Sequence, residues 1–248
     1  MKNVHVGTMG WSYGFWVGNF YPAGVRPSEF LAEYSKYFET VEVNSTFYRV
    51  PSADALLKWR DQTPQGFLFS AKFPQVITHE KMLKNCEAEV KFFTERISVL
   101  QEKTGPMLLQ FPPAFGPKEA ALLGDFLRKL PKRHRYTVEV RNRKLLGDKL
   151  YSLLRENRIA LAISPLMPET EQITADFVYI RWEGDRRKVN GALGKVEVDR
   201  TDDIKKWATK ISEFLHETKE VFGYFSKYYS GHPPTDVRQL VESLDLTG

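Results

Sequence analysis

The chain has 248 residues, a formal net charge of +5 and 42% hydrophobic residues. That is enough for one barrel-sized domain over residues 1–248, and the composition is that of a globular protein rather than a disordered or fibrous one. The single Cys86 excludes an internal disulfide and a cysteine-rich zinc site. No apolar run reaches the roughly 20 residues that span a bilayer. The N-terminus enters a strand without a signal-peptide core. The expectation is a cytoplasmic protein with no membrane role, whose mild basicity favours anionic partners without demanding them.

Residues 4–8 read as the first strand, followed by a glycine- and aromatic-rich loop, Gly10-Trp11-Ser12-Tyr13-Gly14-Phe15-Trp16. Pro27-Ser28 opens a helix with Phe30, Leu31, Tyr34 and Phe38 near helical spacing. Thr40-Val41-Glu42-Val43-Asn44-Ser45-Thr46 is the second strand, and Ser52 caps a helix that stops before Thr63-Pro64. Residues 67–73 form the third strand, 74–84 a loop holding Thr78-His79-Glu80, and Asn85 caps a long helix with Val90, Phe93, Ile97 and Leu100 in one stripe. Strands four to six fall at 107–111, 136–140 and 159–163, with leucine-rich helices after the first two. Residues 165–174 predict an irregular or one-turn connection. Strand seven at 177–182 leads into a polar loop at 183–199 and an amphipathic helix carrying Ile204, Trp207, Ile211 and Phe214. Residues 221–225 make strand eight, and 233–244 a last helix.

Strands alternating with helices imply parallel βαβ units, and about eight of them in this length imply a (β/α)₈ TIM-type barrel. The rival, a doubly wound open sheet, calls for a G-x-G-x-x-G turn that Gly7-Thr8-Met9-Gly10 does not supply. Chemistry in such barrels gathers at the carboxyl ends of the strands. There the sequence offers Glu42 and Asn44, Lys72, Gln110, Glu139 and Arg141, and Arg181 and Glu183. Alternation puts each pair spaced by two on one face, with Val41, Val43, Val138, Val140, Ile180 and Trp182 on the other. Three carboxylates, three cations and two amides then converge at one barrel mouth. A closed ion-pair network is the bland explanation; a functional site is the other.

The blocks Gly10-Trp11-Ser12-Tyr13, Phe20-Tyr21-Pro22, Val41-Glu42-Val43-Asn44-Ser45-Thr46-Phe47-Tyr48, Phe69-Ser70-Ala71-Lys72, Ile77-Thr78-His79, Leu109-Gln110-Phe111-Pro112-Pro113 and Val138-Glu139-Val140-Arg141 resemble the YecE-like family, also catalogued as domain of unknown function seventy-two. The resemblance covers essentially the whole chain. It implies a TIM-type barrel and brings no reaction with it. Three departures fall after strands five, seven and eight. Asn142-Arg143-Lys144-Leu145 lacks the family's tryptophan. Arg181-Trp182-Glu183-Gly184 replaces arginine followed by histidine-glycine, and Phe225-Ser226-Lys227 replaces phenylalanine-asparagine-asparagine.

Three functions compete on these residues. In the first, Glu42 and Glu139 are the base and acid of an enzyme such as a hydrolase or isomerase. Its small anionic or sugar-containing ligand is held by Asn44, Lys72, Gln110, Arg141 and Arg181, with Trp11, Tyr13, Trp16 and Tyr48 as an aromatic wall. No cofactor and no tightly held metal are expected. The second adds a divalent ion on carboxylates with His79 and His232, as in a metal-dependent isomerase or phosphodiesterase, although no H-x-H or H-E-x-x-H spacing supports it. The third is non-catalytic nucleic-acid binding by Arg186, Arg187 and Lys188 together with Arg143, Lys144 and Lys227.

Overall fold

Short β-branched runs buried on both faces set the frame of the molecule, a computed structural model that describes residues 3–245. The strands are β1 (Val4–Met9), β2 (Thr40–Val43), β3 (Leu68–Ala71), β4 (Met107–Gln110), β5 (Tyr136–Glu139), β6 (Ala160–Ile163), β7 (Phe177–Trp182) and β8 (Glu220–Phe225). They lie in the order β3-β2-β1-β8-β7-β6-β5-β4, and all named pairs are parallel. The ring closes between β3 and β4 through Phe73 N to Leu108 O at 2.8 Å and Gly105 N to Phe69 O at 2.9 Å. This is the TIM-type barrel expected from the sequence.

Around it run α1 (Phe30–Tyr34), α2 (Ala53–Gln62), α3 (Glu87–Ile97), α4 (Ala120–Lys129), α5 (Asp148–Asn157), α6 (Thr201–Glu217) and α7 (Pro233–Asp245). Ser52 caps α2, its hydroxyl accepting from Ala55 N at 3.2 Å. After β6 comes only a single 3₁₀ turn, Pro168–Thr170, because prolines at 165 and 168 interrupt any longer helix.

Two local expectations are corrected. Asn85 is not the cap of α3: it adopts a left-handed φ of 47°, as do Met82 and Leu83 at 46° and 69°, so the chain turns there and Cys86 takes the cap position. The strand containing Glu42 ends at Val43, and Asn44 turns helical ahead of a 3₁₀ turn at Ser45–Phe47. Thr46 therefore does not face Glu42; its buried hydroxyl donates to Val43 O at 2.8 Å and Lys72 O at 2.6 Å. Those two bonds lash the β2 and β3 ends together.

Strand alternation sorts the core into two layers. Outside the sheet, Val41, Val43, Phe69, Val138, Val140, Ile180 and Trp182 pack under the helices. Each fully buried aliphatic or aromatic side chain there contributes about 1.5–3 kcal/mol. Inside, Ala160 and Ala162 on β6 are small, leaving room for Tyr179 and Tyr224, whose rings lie 5.3 Å apart. Tyr224 Oη hydrogen-bonds Thr40 Oγ1 and Ser70 Oγ, both at 2.8 Å, so these three buried hydroxyls satisfy one another. His5 stacks on Phe222 at 4.7 Å and, with Arg135 paired to Glu220, fills the N-terminal end.

Candidate functional site

Above that filled interior, at the carboxyl ends of the strands, Arg181 organises the charges. It is the last inward residue of β7 and only 3% exposed. Its Nε donates to Glu42 Oε2 and its Nη2 to Glu42 Oε1, each at 2.9 Å, a bidentate fork. Its Nη1 donates to Glu139 Oε2, and to Glu183 Oε1 at 2.9 Å. Glu42 is fully buried, and takes two more bonds at 2.8 Å, from Tyr179 Oη and Asn44 Nδ2. Arg141 adds a second clamp, with Nε on Glu139 at 2.8 Å and Nη2 on both oxygens of Glu183 at 2.9 Å. Burial alone would lift the Glu139 carboxyl; Arg181 and Arg141 overcome it and hold the group below its ordinary range.

Lys72, one residue past β3, has none of this. Its Nζ donates to Gln110 Oε1 and lies 4.2 Å from the centroid of the Phe47 ring. No carboxylate pairs with it among the described residues. Burial, followed by the charge of Arg181, brings its ammonium down to about 8.

These groups floor a cavity of about 320 Å³, at the small end for ligand sites. Its walls come from loops after several strands: Tyr13 after β1, Phe47 and Tyr48 after β2, His79 after β3, Arg186 after β7, and Lys227 and Tyr228 after β8. Gly184 makes that last wall possible, because any Cβ there would sit 1.7 Å from Tyr228 O. Arg186 lies 4.8 Å and Lys227 5.1 Å from the Tyr228 ring, and neither has a carboxylate partner among the described residues. Around the mouth, five cations (Lys72, Arg141, Arg181, Arg186, Lys227) stand against three carboxylates (Glu42, Glu139, Glu183). The excess is positive.

The sequence-derived residues divide accordingly. Asn44, Lys72, Gln110, Arg141, Arg181, Tyr13 and Tyr48 all border the cavity. Tyr48 is 75% exposed, whereas Tyr13 is pinned by its hydroxyl donating to Met9 O at 2.7 Å. Glu42 and Glu139 lie beneath the floor, occupied by the arginines. Arg181 borders the cavity, but its guanidinium is spent on three carboxylates and Met9 Sδ. Trp11 is corrected: it packs edge-on to Trp59 at 5.0 Å and Phe69 at 6.3 Å, under α2 rather than at the mouth. Trp16 is likewise buried beneath the first loop.

The two histidines of the metal reading are separated. His79 borders the cavity, with Nδ1 bonded to Thr78 Oγ1 at 2.8 Å and its ring edge-on to Phe47 at 4.8 Å. His232 is buried against Trp16 and Thr235. Among the described residues no group of three or more His, Cys, Asp or Glu is arranged to hold a metal. Of the basic loop residues, Arg187 pairs with Asp185 and Arg143 with Glu169, so only Arg186 and Lys227 turn to the cavity. Tyr228 and Phe47 were not singled out in the sequence. The signal for Tyr228 was there in Lys227-Tyr228, a cation and an aromatic ring just beyond β8.

A parallel barrel with inward polar side chains gathered at one mouth defines the (β/α)₈ class, a fold that fixes where a site lies without fixing its chemistry. Residues 5–248 match the family described as protein of unknown function DUF72, and the chain belongs to that family. It is 38% identical over 139 residues to the UPF0759 protein YecE of Escherichia coli K12, an overlap covering 56% of this chain and 48% of that one. The chain thus spans about half the length of that curated relative in the matched region. It is 23% identical to the UPF0759 protein YunF of Bacillus subtilis 168 across 98% of this chain and 95% of that one. A crystal structure of a DUF72 family protein from Thermotoga maritima superposes with a TM-score of 0.83 at 26% identity, covering 98% and 99% of the two chains. No helix of the described residues is long and apolar enough to cross a membrane.

Proposed function

We propose that the barrel mouth is the site of an acid/base enzyme acting on a small organic anion, with a phosphate or carboxylate on a sugar-like or ring-shaped body. The observation that carries this reading is the split among the charges. The arginines absorb the three glutamates, while Lys72, Arg186 and Lys227 border the cavity without a carboxylate. An oxyanion completes their pairing, at low desolvation cost for Lys72, whose ammonium is already partly stripped of water, while Arg186 meets it from the exposed rim. Phe47, Tyr48 and Tyr228 supply faces for the organic part.

The proton-transfer roles move with the charges. Glu42 and Glu139 keep Arg181 and Arg141 in place, and Lys72 with His79 handles protons at the ligand. His79 is held below its usual range by burial and then by Lys72, which keeps its ring neutral near pH 7.

Calorimetric titration with inorganic phosphate, sugar phosphates and the matching neutral sugars tests the reading. Phosphate esters are expected to bind and neutral sugars not. Arg186→Gln and Lys227→Gln should each weaken binding by about tenfold, the worth of one charge-assisted contact. Equal binding of neutral and anionic sugars, or indifference to both substitutions, would overturn it.

A further inference from the structure

Lys72 differs from every other cation at the mouth in how it is held. Its backbone is locked from both sides, with N donating to Val43 O at 3.1 Å and O accepting from Thr46 Oγ1 at 2.6 Å. Its ammonium, by contrast, has one neutral hydrogen-bond acceptor, Gln110, and one ring face, Phe47. A lysine needed only as a counter-ion would sit against one of the three glutamates within the same cluster. This one is kept off them by Arg181 and Arg141, which occupy the carboxylates first. The result is a rigidly placed amine at the cavity floor that loses little on giving up a proton.

We infer that Lys72 is a nucleophilic amine that forms an imine with a carbonyl carbon of an anionic substrate, so that the substrate class is an aldehyde or ketone bearing a carboxylate or phosphate. The inference rests on the anion-binding reading of the same cavity. In the step, the lysine nitrogen adds to the carbonyl carbon and the carbonyl electron pair moves to oxygen, which takes up a proton. The carbinolamine then loses its hydroxyl as water while nitrogen releases a proton. The balance is amine plus carbonyl giving imine plus water, with no oxidant or reductant. The neutral ring of His79, on the same cavity wall, is placed to pass those protons. The anionic group is met by Arg186, Lys227 and the Nη1 of Arg141, which has no protein partner among the described residues.

The depressed basicity of Lys72 supports the assignment. Arg181, Arg141, Glu42, Glu139 and His79 surround it, and burial together with the cations outweighs the glutamates. At pH 7.5 a lysine titrating near 8 is substantially free amine, whereas an exposed lysine is almost wholly protonated.

Reductive trapping reads this directly on the whole protein. The protein is incubated with glyoxylate and cyanoborohydride at pH 7.5, in parallel with acetaldehyde, and the modified lysines are mapped by mass spectrometry. Lys72 should be carboxymethylated at least about tenfold faster than exposed lysines such as Lys91 and Lys129, the free-amine advantage being partly offset by lower basicity. Inorganic phosphate should slow the reaction at Lys72 alone. Arg186→Gln combined with Lys227→Gln should slow it for glyoxylate and leave acetaldehyde unchanged. Labelling of Lys72 no faster than Lys129, or no preference for glyoxylate over acetaldehyde relative to the exposed lysines, would overturn the inference. Phosphate binding by calorimetry separates the two claims. If phosphate binds at the mouth while Lys72 stays unlabelled, the imine falls and the anion site stands; if neither occurs, both fall.

Discussion

Replacing Arg181 by methionine tests the charge arrangement on which the site depends. Arg181→Met keeps the length and removes the fork that holds Glu42 and Glu139. Glu42 retains Tyr179 and Asn44, and Glu139 retains Arg141, so neither carboxylate is left bare. Breaking one member out of a buried ion set costs about 3–5 kcal/mol, mostly because the remaining charge has lost its compensation. In a chain of this size that corresponds to a fall in Tm on the order of 10 °C. Urea unfolding at pH 7.5 and pH 5 is the assay. In the native protein the lowered Glu139 carboxyl contributes stability that is present above its unfolded range and lost as pH falls through the folded value. In the variant Glu139 keeps only Arg141 against the same burial, and protonation relieves it. The gap between the two proteins should therefore be widest near neutrality and narrow toward pH 4. Adding Glu42→Gln to Arg181→Met should recover part of the loss at pH 7.5. A loss below about 1 kcal/mol, or a gap that does not change with pH, would refute the claim that Arg181 exists to neutralise the floor.

Asp236→Asn should flatten the pH dependence of stability. Burial raises the Asp236 carboxyl to about 8, with Ser230 donating to it at 2.7 Å, so the native protein is most favoured below the unfolded value and loses stability as pH climbs from about 4 to about 8. The variant should gain up to about 5 kcal/mol on the native protein over that window, and parallel curves would count against it. Tyr224→Phe removes the hydroxyl shared by Thr40 and Ser70 and should cost about 1–3 kcal/mol in chemical denaturation. Trp11→Ala should cost about 2–3 kcal/mol by hollowing the contact with Trp59 and Phe69, while phosphate affinity at the mouth stays within about twofold; a large loss of affinity would return Trp11 to the site.

The barrel was legible because its strands obey one simple rule over most of their length. Val41, Val43, Val138, Val140, Ile180 and Trp182 all lie on the helix side, as alternation required. Boundaries were less legible, and for a local reason. Alternation gives no warning of where a strand turns helical, and Asn44 has a residue's worth of freedom to do so. Asn85 misled for a similar reason. Asparagine serves equally as a helix cap and as a residue that tolerates left-handed backbone, and the neighbouring Met82 and Leu83 gave no hint of their own positive φ.

The site was legible as a set and opaque in its pairing. Spacing by two brought the inward carboxylates and cations to one mouth, but it says nothing about which cation reaches which carboxylate. That depends on reach and fork geometry across the barrel. Arg181 can bridge Glu42 and Glu139 because a guanidinium donates in several directions at once; Lys72, with a single compact ammonium, cannot compete for the same oxygens. Once the arginines are satisfied, the lysine is left facing the cavity, and its low basicity follows from its burial there and then from the charge of Arg181 rather than from anything in its own sequence context. The same reasoning explains why Trp11 misled. Residues directly after a strand enter the mouth only if the loop carries them inward, and the Tyr21 hydroxyl, donating to Trp11 O at 2.6 Å, holds this part of the loop against the outer layer instead.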